Sequence, residues 1–195
     1  IINKLGVKAG VGFAYEFAGP AINSLSMEER MTICNMSIEG GARCGYINPD
    51  EKTFSYIKNK LCAPKNENWD EALLWWKSLK SDANSIYDDV IKFDASKVEP
   101  TVTWGITPGQ SVGINQKIPL LEELSPNDQF VAEEAYEYMG FKPGQSIKDT
   151  PIDVCFIGSC TNGRISDLRV AAQVLKDKKV SKNIKAFVVP GSEKV

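Results

Sequence analysis

A chain of 195 residues with 43% hydrophobic and 25% charged side chains has the composition of an ordinary soluble globular protein and the length of one large domain or two small ones. A formal net charge of −2 argues against a general nucleic-acid-binding surface. No apolar run nears the ~20 residues that span a bilayer, and no charged, apolar and small-residue succession marks a secretory signal.

Two further counts narrow the chemistry. Zero histidines exclude a Ser-His-Asp triad, a Cys-His dyad and any histidine-ligated metal within the chain itself. The five cysteines (Cys34, Cys44, Cys62, Cys155 and Cys160) are odd in number, match no disulfide framework and contain no CxxC pair, which points to free thiols in a reducing, cytoplasmic compartment. The chain opens at "IINKLG" without an initiator methionine, as a piece of a longer polypeptide would.

In chain order, a glycine-rich opening (Gly6, Gly10, Gly12, Gly19) brackets an apolar-aromatic strand expected over Val11–Phe17. The glycines precede the strand and open no helix after it, so this is not a dinucleotide fingerprint. Ser26 with Glu29 three residues on forms a capping box, placing a helix start near Met27. Met27, Met31, Cys34 and Ile38 recur at helical spacing as its buried stripe, and Gly40-Gly41 is the expected stop. On that helix Asn35 and Glu39 lie four residues apart, on one side with Met31. A short helix follows "PDE", with Phe54 and Ile57 inward. "ENWDEALLWWKSL" reads as an amphipathic helix over Glu67–Leu79 whose aromatics serve packing.

Val90–Phe93 and Val98–Trp104 read as strands around Pro100. The stretch from Gly105 to Pro119 is turn-rich, fitting a linker or an ordered active-site loop. Ser125 caps a helix that begins at Pro126 and ends at Gly140, and "KPGQSIKDTPI" is a connector. The basic stretch "KDKKVSKNIK" fits a solvated helix end and loop. The last segment alternates strand (Val154–Ile157), loop, helix (Ile165–Lys176) and strand (Ile184–Val189), a βαβ unit and hence an α/β class with parallel sheet. In such sheets ligands sit beyond the carboxyl ends of strands, where "GSCTNGR" falls. A thiol there suits a metal or cluster ligand, a nucleophile, or a small cysteine in a tight turn, and spacing alone leaves these open.

"CFIGSCTNGRISDLRVAA" followed by "VVPGSEKV" closely resembles the cluster-binding segment of the aconitase superfamily. "SLSMEERMTICNMSIEGGARCGYINPDEKTF" and "VEPTVTWGITPGQ" resemble, within it, the branch formed by bacterial isopropylmalate dehydratase large subunits. The similarity runs from Gly6 to Val195. It implies aconitase-like three-layer α/β/α domains with mostly parallel sheet in an incomplete chain: part of the second α/β domain over 1–98, a connector and active-site loop region over 99–150, and the start of the cluster-binding third domain over 151–195.

The resemblance further implies a [4Fe-4S] hydro-lyase of leucine biosynthesis, located in the cytoplasm, that isomerises 2- to 3-isopropylmalate. In that family three cysteines hold the cluster and its fourth iron acts as Lewis acid. Cys160 matches the first ligand, and the other two lie in a CxxC pair further along the family sequence. By the same resemblance Glu39 orients or exchanges a proton with the hydroxyl that the cluster binds. Asn35 positions substrate or cluster, Ser159, Thr161 and Asn162 neighbour the cluster, and Arg164 meets a substrate carboxylate or pairs with Asp167. Cys34, Cys44, Cys62 and Cys155 match no ligand position.

The family's histidine motifs lie upstream of this segment, and its later substrate-binding arginines lie downstream. The catalytic serine belongs to a swivelling domain that this branch carries as a separate small subunit. The segment alone is therefore expected to hold no cluster and to be inactive, with no nucleic-acid or membrane partner. The competing readings are homoaconitase or another aconitase-type hydro-lyase and, from a different class, a non-catalytic cysteine-bearing α/β binding module.

Overall fold

A computed structural model describes residues 1–148 and 150–195, so the connector "KPGQSIKDTPI" is described except at Asp149, which lies outside the described residues. The chain is α/β and divides into two compact units. One comprises Lys8–Val98; the other joins Ile1–Val7 to Glu99–Val195. Each is built around its own small sheets. The helices and strands, in chain order, are α1 (Ile2–Leu5), β1 (Tyr15–Glu16), α2 (Pro20–Ser24), α3 (Met27–Met36), β2 (Gly45–Tyr46), α4 (Glu51–Ile57), α5 (Glu67–Ser78), β3 (Thr101–Thr103), β4 (Ser111–Gly113), α6 (Pro126–Met139), β5 (Val154–Ile157), α7 (Ile165–Leu175) and β6 (Lys185–Val188).

In the Lys8–Val98 unit, β1 pairs with β2 in parallel. Residues 11 and 12 turn instead of extending, with the Phe13 N–H donating to the Gly10 carbonyl, and the expected strand shrinks to two residues. The Ser26–Glu29 capping box forms as expected: the Ser26 N–H donates to Glu29 Oε2 at 2.7 Å, and the Glu29 N–H donates to Ser26 Oγ at 3.3 Å. Helix α3 stops at Met36, four residues before the expected glycine pair. One long-range and one local backbone bond follow its end: the Gly40 carbonyl accepts the Gly10 N–H at 2.9 Å and the Ser37 carbonyl accepts the Ala42 N–H at 3.1 Å. Ile38 is consequently 57% exposed and drops out of the expected buried stripe. Met27, Met31 and Cys34 are half-buried instead of buried and, with Phe54 and Trp76, line a cavity of about 340 Å³; the buried residue of α3 is Arg30. Burial, and secondarily the Cys44 thiol, push the Cys34 thiol up in pKa. Helices α4 and α5 meet through Phe54 stacked on Trp76 at 6.4 Å between ring centroids, so α5 turns Trp76 inward and leaves Leu74 and Trp75 exposed.

An ion pair locks this unit. Arg30, 3% exposed, donates from Nη1 and Nη2 to both carboxylate oxygens of Asp50 at 2.8 Å each. Asp50 also caps α4 by accepting the Lys52 and Thr53 N–H groups. The Arg30 hydrogen bond outweighs desolvation and, with the α4 amides, holds the Asp50 carboxyl at about 2. A carboxylate depressed in the folded state adds stability above its unfolded pKa of about 4 and loses it as pH falls through the folded value. Between those two values the denaturation midpoint should fall more steeply for wild type than for Asp50→Asn, which keeps a cap but loses the charge. Parallel pH slopes for the two would contradict this role. Asp50 is 41% exposed, so solvent screening keeps the effect modest.

In the other unit, β3 and β4 pair antiparallel and β5 and β6 pair in parallel. Asn3 of α1 donates to the Ser111 carbonyl at 2.7 Å. The turn-rich 105–119 stretch contributes to the core: Val112 and Ile118, with Trp104 just before it, pack with Ala132, Ala135 and Tyr136 of α6, and the Trp104 and Tyr136 rings lie 5.0 Å apart. Helix α6 starts at Pro126 and ends with Gly140 in the left-handed conformation, φ 69°, where a glycine bears no Cβ strain. Val90–Phe93 is in no strand among the described residues, and its side chains are exposed. No helix among the described residues is long and apolar enough to cross a membrane.

Candidate functional site

The loop 158–164 connects the carboxyl end of β5 to the start of α7. Strand β5 runs in register with β6, Cys155 opposite Ala186 and Ile157 opposite Val188; Cys155 is therefore a half-buried strand residue. The chain leaves β5 through Gly158 at φ 131°, a region that favours glycine, and a Cβ there would overlap the Val189 carbonyl oxygen. A second close approach follows at Gly163, whose carbonyl accepts the Gly191 N–H at 2.8 Å; a Cβ on Gly163 would meet the Ser159 carbonyl oxygen at 2.7 Å. The turn after β6 thus clamps the loop at both ends, backbone against backbone.

Within that clamp the side chains are ordered by short polar contacts. Ser159 Oγ accepts the Asn162 N–H at 2.7 Å. Thr161 is buried, 9% exposed, and its Oγ1 lies 3.8 Å from Cys160 Sγ. Cys160 is exposed, so its sulfur is reachable from solvent. Helix α7 begins at Ile165, which places the cysteine ahead of the first helical turn. Asp167 sits in that first turn. Its Oδ2 accepts the Arg164 N–H at 2.9 Å, its Oδ1 accepts from Asn162 Nδ2 at 3.4 Å, and Arg164 Nη1 lies 3.7 Å from Oδ2. The Arg164 guanidinium is thereby paired with Asp167. Sequence reasoning noted that ion pair but missed Asp167 as the centre of the loop's polar network; the signal was the Arg-x-x-Asp spacing, which places an acidic side chain at the third helical position as in a capping box.

The structure brings Ser159, Cys160, Thr161, Asn162 and Arg164 together in one loop. Asn35 and Glu39 belong to the other compact unit: Asn35 is exposed near the end of α3, and Glu39 is exposed in the turn after it, not on the helix. All five cysteines are free thiols; Cys44 and Cys62 are exposed, Cys34 half-buried. Among the described residues no three His, Cys, Asp or Glu side chains gather into a metal-holding group. The donor set that this loop offers is therefore a single thiol with hydroxyl and amide neighbours, which fits one ligand of a soft metal or iron–sulfur centre and not a complete cage.

The whole chain, residues 1–195, matches the model of the aconitase family (aconitate hydratase). The chain belongs to the aconitase family. Over all 195 residues it is 96% identical to a 3-isopropylmalate dehydratase large subunit of Prochlorococcus marinus (strain MIT 9301), 88% to that of strain MIT 9215 and 62% to that of a Synechocystis species. In each case it spans 42% of the relative's length. Membership in the aconitase family accords with the parallel βαβ unit that carries the cysteine loop.

Proposed function

We propose that the protein to which this chain belongs is a hydro-lyase that interconverts 2- and 3-isopropylmalate. A small subunit supplies the swivelling domain. The observation that carries this reading is 96% identity over all 195 residues to a relative bearing that name. We take Cys160 as one of three cysteine ligands of a [4Fe-4S] cluster, the other two coming from outside this chain. When bound, the cluster supplies Lewis acidity to a hydroxyl and a carboxylate of the substrate.

The chain's own residues have separable tasks. Cys160 contributes a thiolate from a loop whose backbone is fixed before any ligand arrives. Ser159, Thr161 and Asn162 border the sulfur and offer hydroxyl and amide groups to its surroundings. Glu39 gives a proton to the departing hydroxyl, which leaves as water, and takes one back in the hydration direction. Asn35, four residues earlier, orients the substrate. Arg164 faces the substrate carboxylate with a guanidinium already partly neutralised by Asp167. The same reading assigns 1–98 to part of the family's second α/β domain, 99–150 to a connector and active-site loop region, and 151–195 to the start of the cluster-binding third domain. It places the protein in the cytoplasm, with neither nucleic acid nor membrane as partner.

Substrate comparison tests the proposal. The complete polypeptide with its small subunit, kept free of oxygen, is expected to turn over 2-isopropylmalate at least ~100-fold more efficiently than citrate or homocitrate, the discrimination that a buried apolar branch together with an unpaired polar group supports. Preference for homocitrate would move the assignment to a homoaconitase, and no turnover of any of the three would favour a binding module.

A further inference from the structure

We infer that Asp167 is a positioning residue that holds the Cys160 loop in the conformation in which its thiol can be a ligand. The inference rests on the reading of Cys160 as a cluster ligand. Asp167 uses both carboxylate oxygens across the junction of loop and helix: Oδ2 takes the Arg164 N–H at 2.9 Å, and Oδ1 takes Asn162 Nδ2 at 3.4 Å. Its side chain is only 19% exposed, so water competes weakly for the part-buried Arg164 bond, whereas the Asn162 contact lies at the surface. A carboxylate that only capped the helix would engage the N-cap amide alone. This one also reaches Asn162, two residues from the cysteine and already tied to Ser159 through its own N–H.

The consequence for the thiol follows from the loop's construction. The contacts Gly191 N–H to Gly163 and Val189 N–H to Ile157 fix the ends of the loop through backbone alone. Between those ends the chain from Ser159 to Gly163 must also hold a sulfur in one direction. Asp167 ties Asn162 and Arg164 to the first turn of α7, a rigid element. Removing it leaves the fold of the βαβ unit in place and widens the range of loop conformations, which weakens the ligand without removing it. Groups that orient a metal ligand in this way typically change metal retention by 10- to 100-fold when lost.

The test uses the complete polypeptide with its small subunit, comparing wild type, Asp167→Ala, Asp167→Asn and Cys160→Ser. Two quantities are read: amide hydrogen exchange of peptides covering 160–168 in the cluster-free protein, and the rate at which cluster absorbance decays in the presence of a chelator. Asp167→Ala is expected to speed exchange at Arg164 roughly five- to tenfold, the loss of a charge-assisted cap bond. It should reconstitute a cluster and lose it roughly tenfold faster than wild type, with little change in melting temperature. Asp167→Asn, which keeps an acceptor for the Arg164 N–H, should fall between the two and serves if the alanine variant fails to fold. Cluster decay at the wild-type rate in both Asp167 variants overturns the inference. A Cys160→Ser protein that keeps a full cluster overturns the ligand assignment instead. In that case wild-type exchange at Arg164 in Asp167→Ala would still refute the positioning role, and accelerated exchange would retain it.

Discussion

Replacing Cys160 by serine in the complete polypeptide is expected to abolish cluster retention and to lower turnover by more than ~100-fold, the upper end of what changes around a ligand alone produce. Serine offers a hard oxygen where a soft thiolate is required. The fold should survive, because the loop is held by contacts that do not involve the sulfur: Gly191 to Gly163, Asn162 to Ser159 and Arg164 to Asp167. Cys160 is exposed, so the change creates neither a cavity nor a buried polar atom, and surface substitutions of this kind usually alter stability by no more than ~0.5 kcal/mol. Absorbance near 400 nm, turnover and far-UV circular dichroism on one preparation check it. A serine variant that is folded, brown and active contradicts the assignment.

The second large effect concerns Glu39. Glu39→Gln preserves shape and removes the transferable proton, so turnover should fall by ~10²- to 10⁴-fold, the usual contribution of a positioned general acid or base. Iron content should remain at the wild-type level, since the proposal assigns the cluster to cysteine ligands and gives Glu39 only the proton. Glu39 is exposed in the turn after α3, so the substitution leaves no buried group unpaired. Measuring kcat and KM separately distinguishes this role from a structural one: kcat should fall while KM stays near the wild-type value. Near-normal turnover would remove Glu39 from the mechanism.

What could be read from the sequence was what local chemistry decides. The Ser26–Glu29 box, the Ser125-Pro126 start and Gly140 stop of α6, and the β5–α7–β6 order each depend on residues close together in the chain, and each is found in the structure. Three misreadings share one cause, contacts remote in sequence. The end of α3 at Met36 is followed by Gly10 bonding to the Gly40 carbonyl, a contact thirty positions away in sequence. Val90–Phe93 has strand composition, but a strand exists only when another backbone pairs with it. The burial of Trp104, Val112 and Ile118 depends on α6 packing with them, which turn residues do not announce. The cysteine loop was located from its motif, whereas the part played by Asp167 needed the fold, because only there do Asn162 and Arg164 converge on one carboxylate.

The most direct test of the central claim is the iron and acid-labile sulfide bound per polypeptide in the complete protein and in its Cys160→Ser variant, both purified without oxygen. The account expects about four irons and four sulfides in the wild type, as a [4Fe-4S] centre requires, and close to none in the variant. Equal iron and sulfide in the two proteins would contradict it.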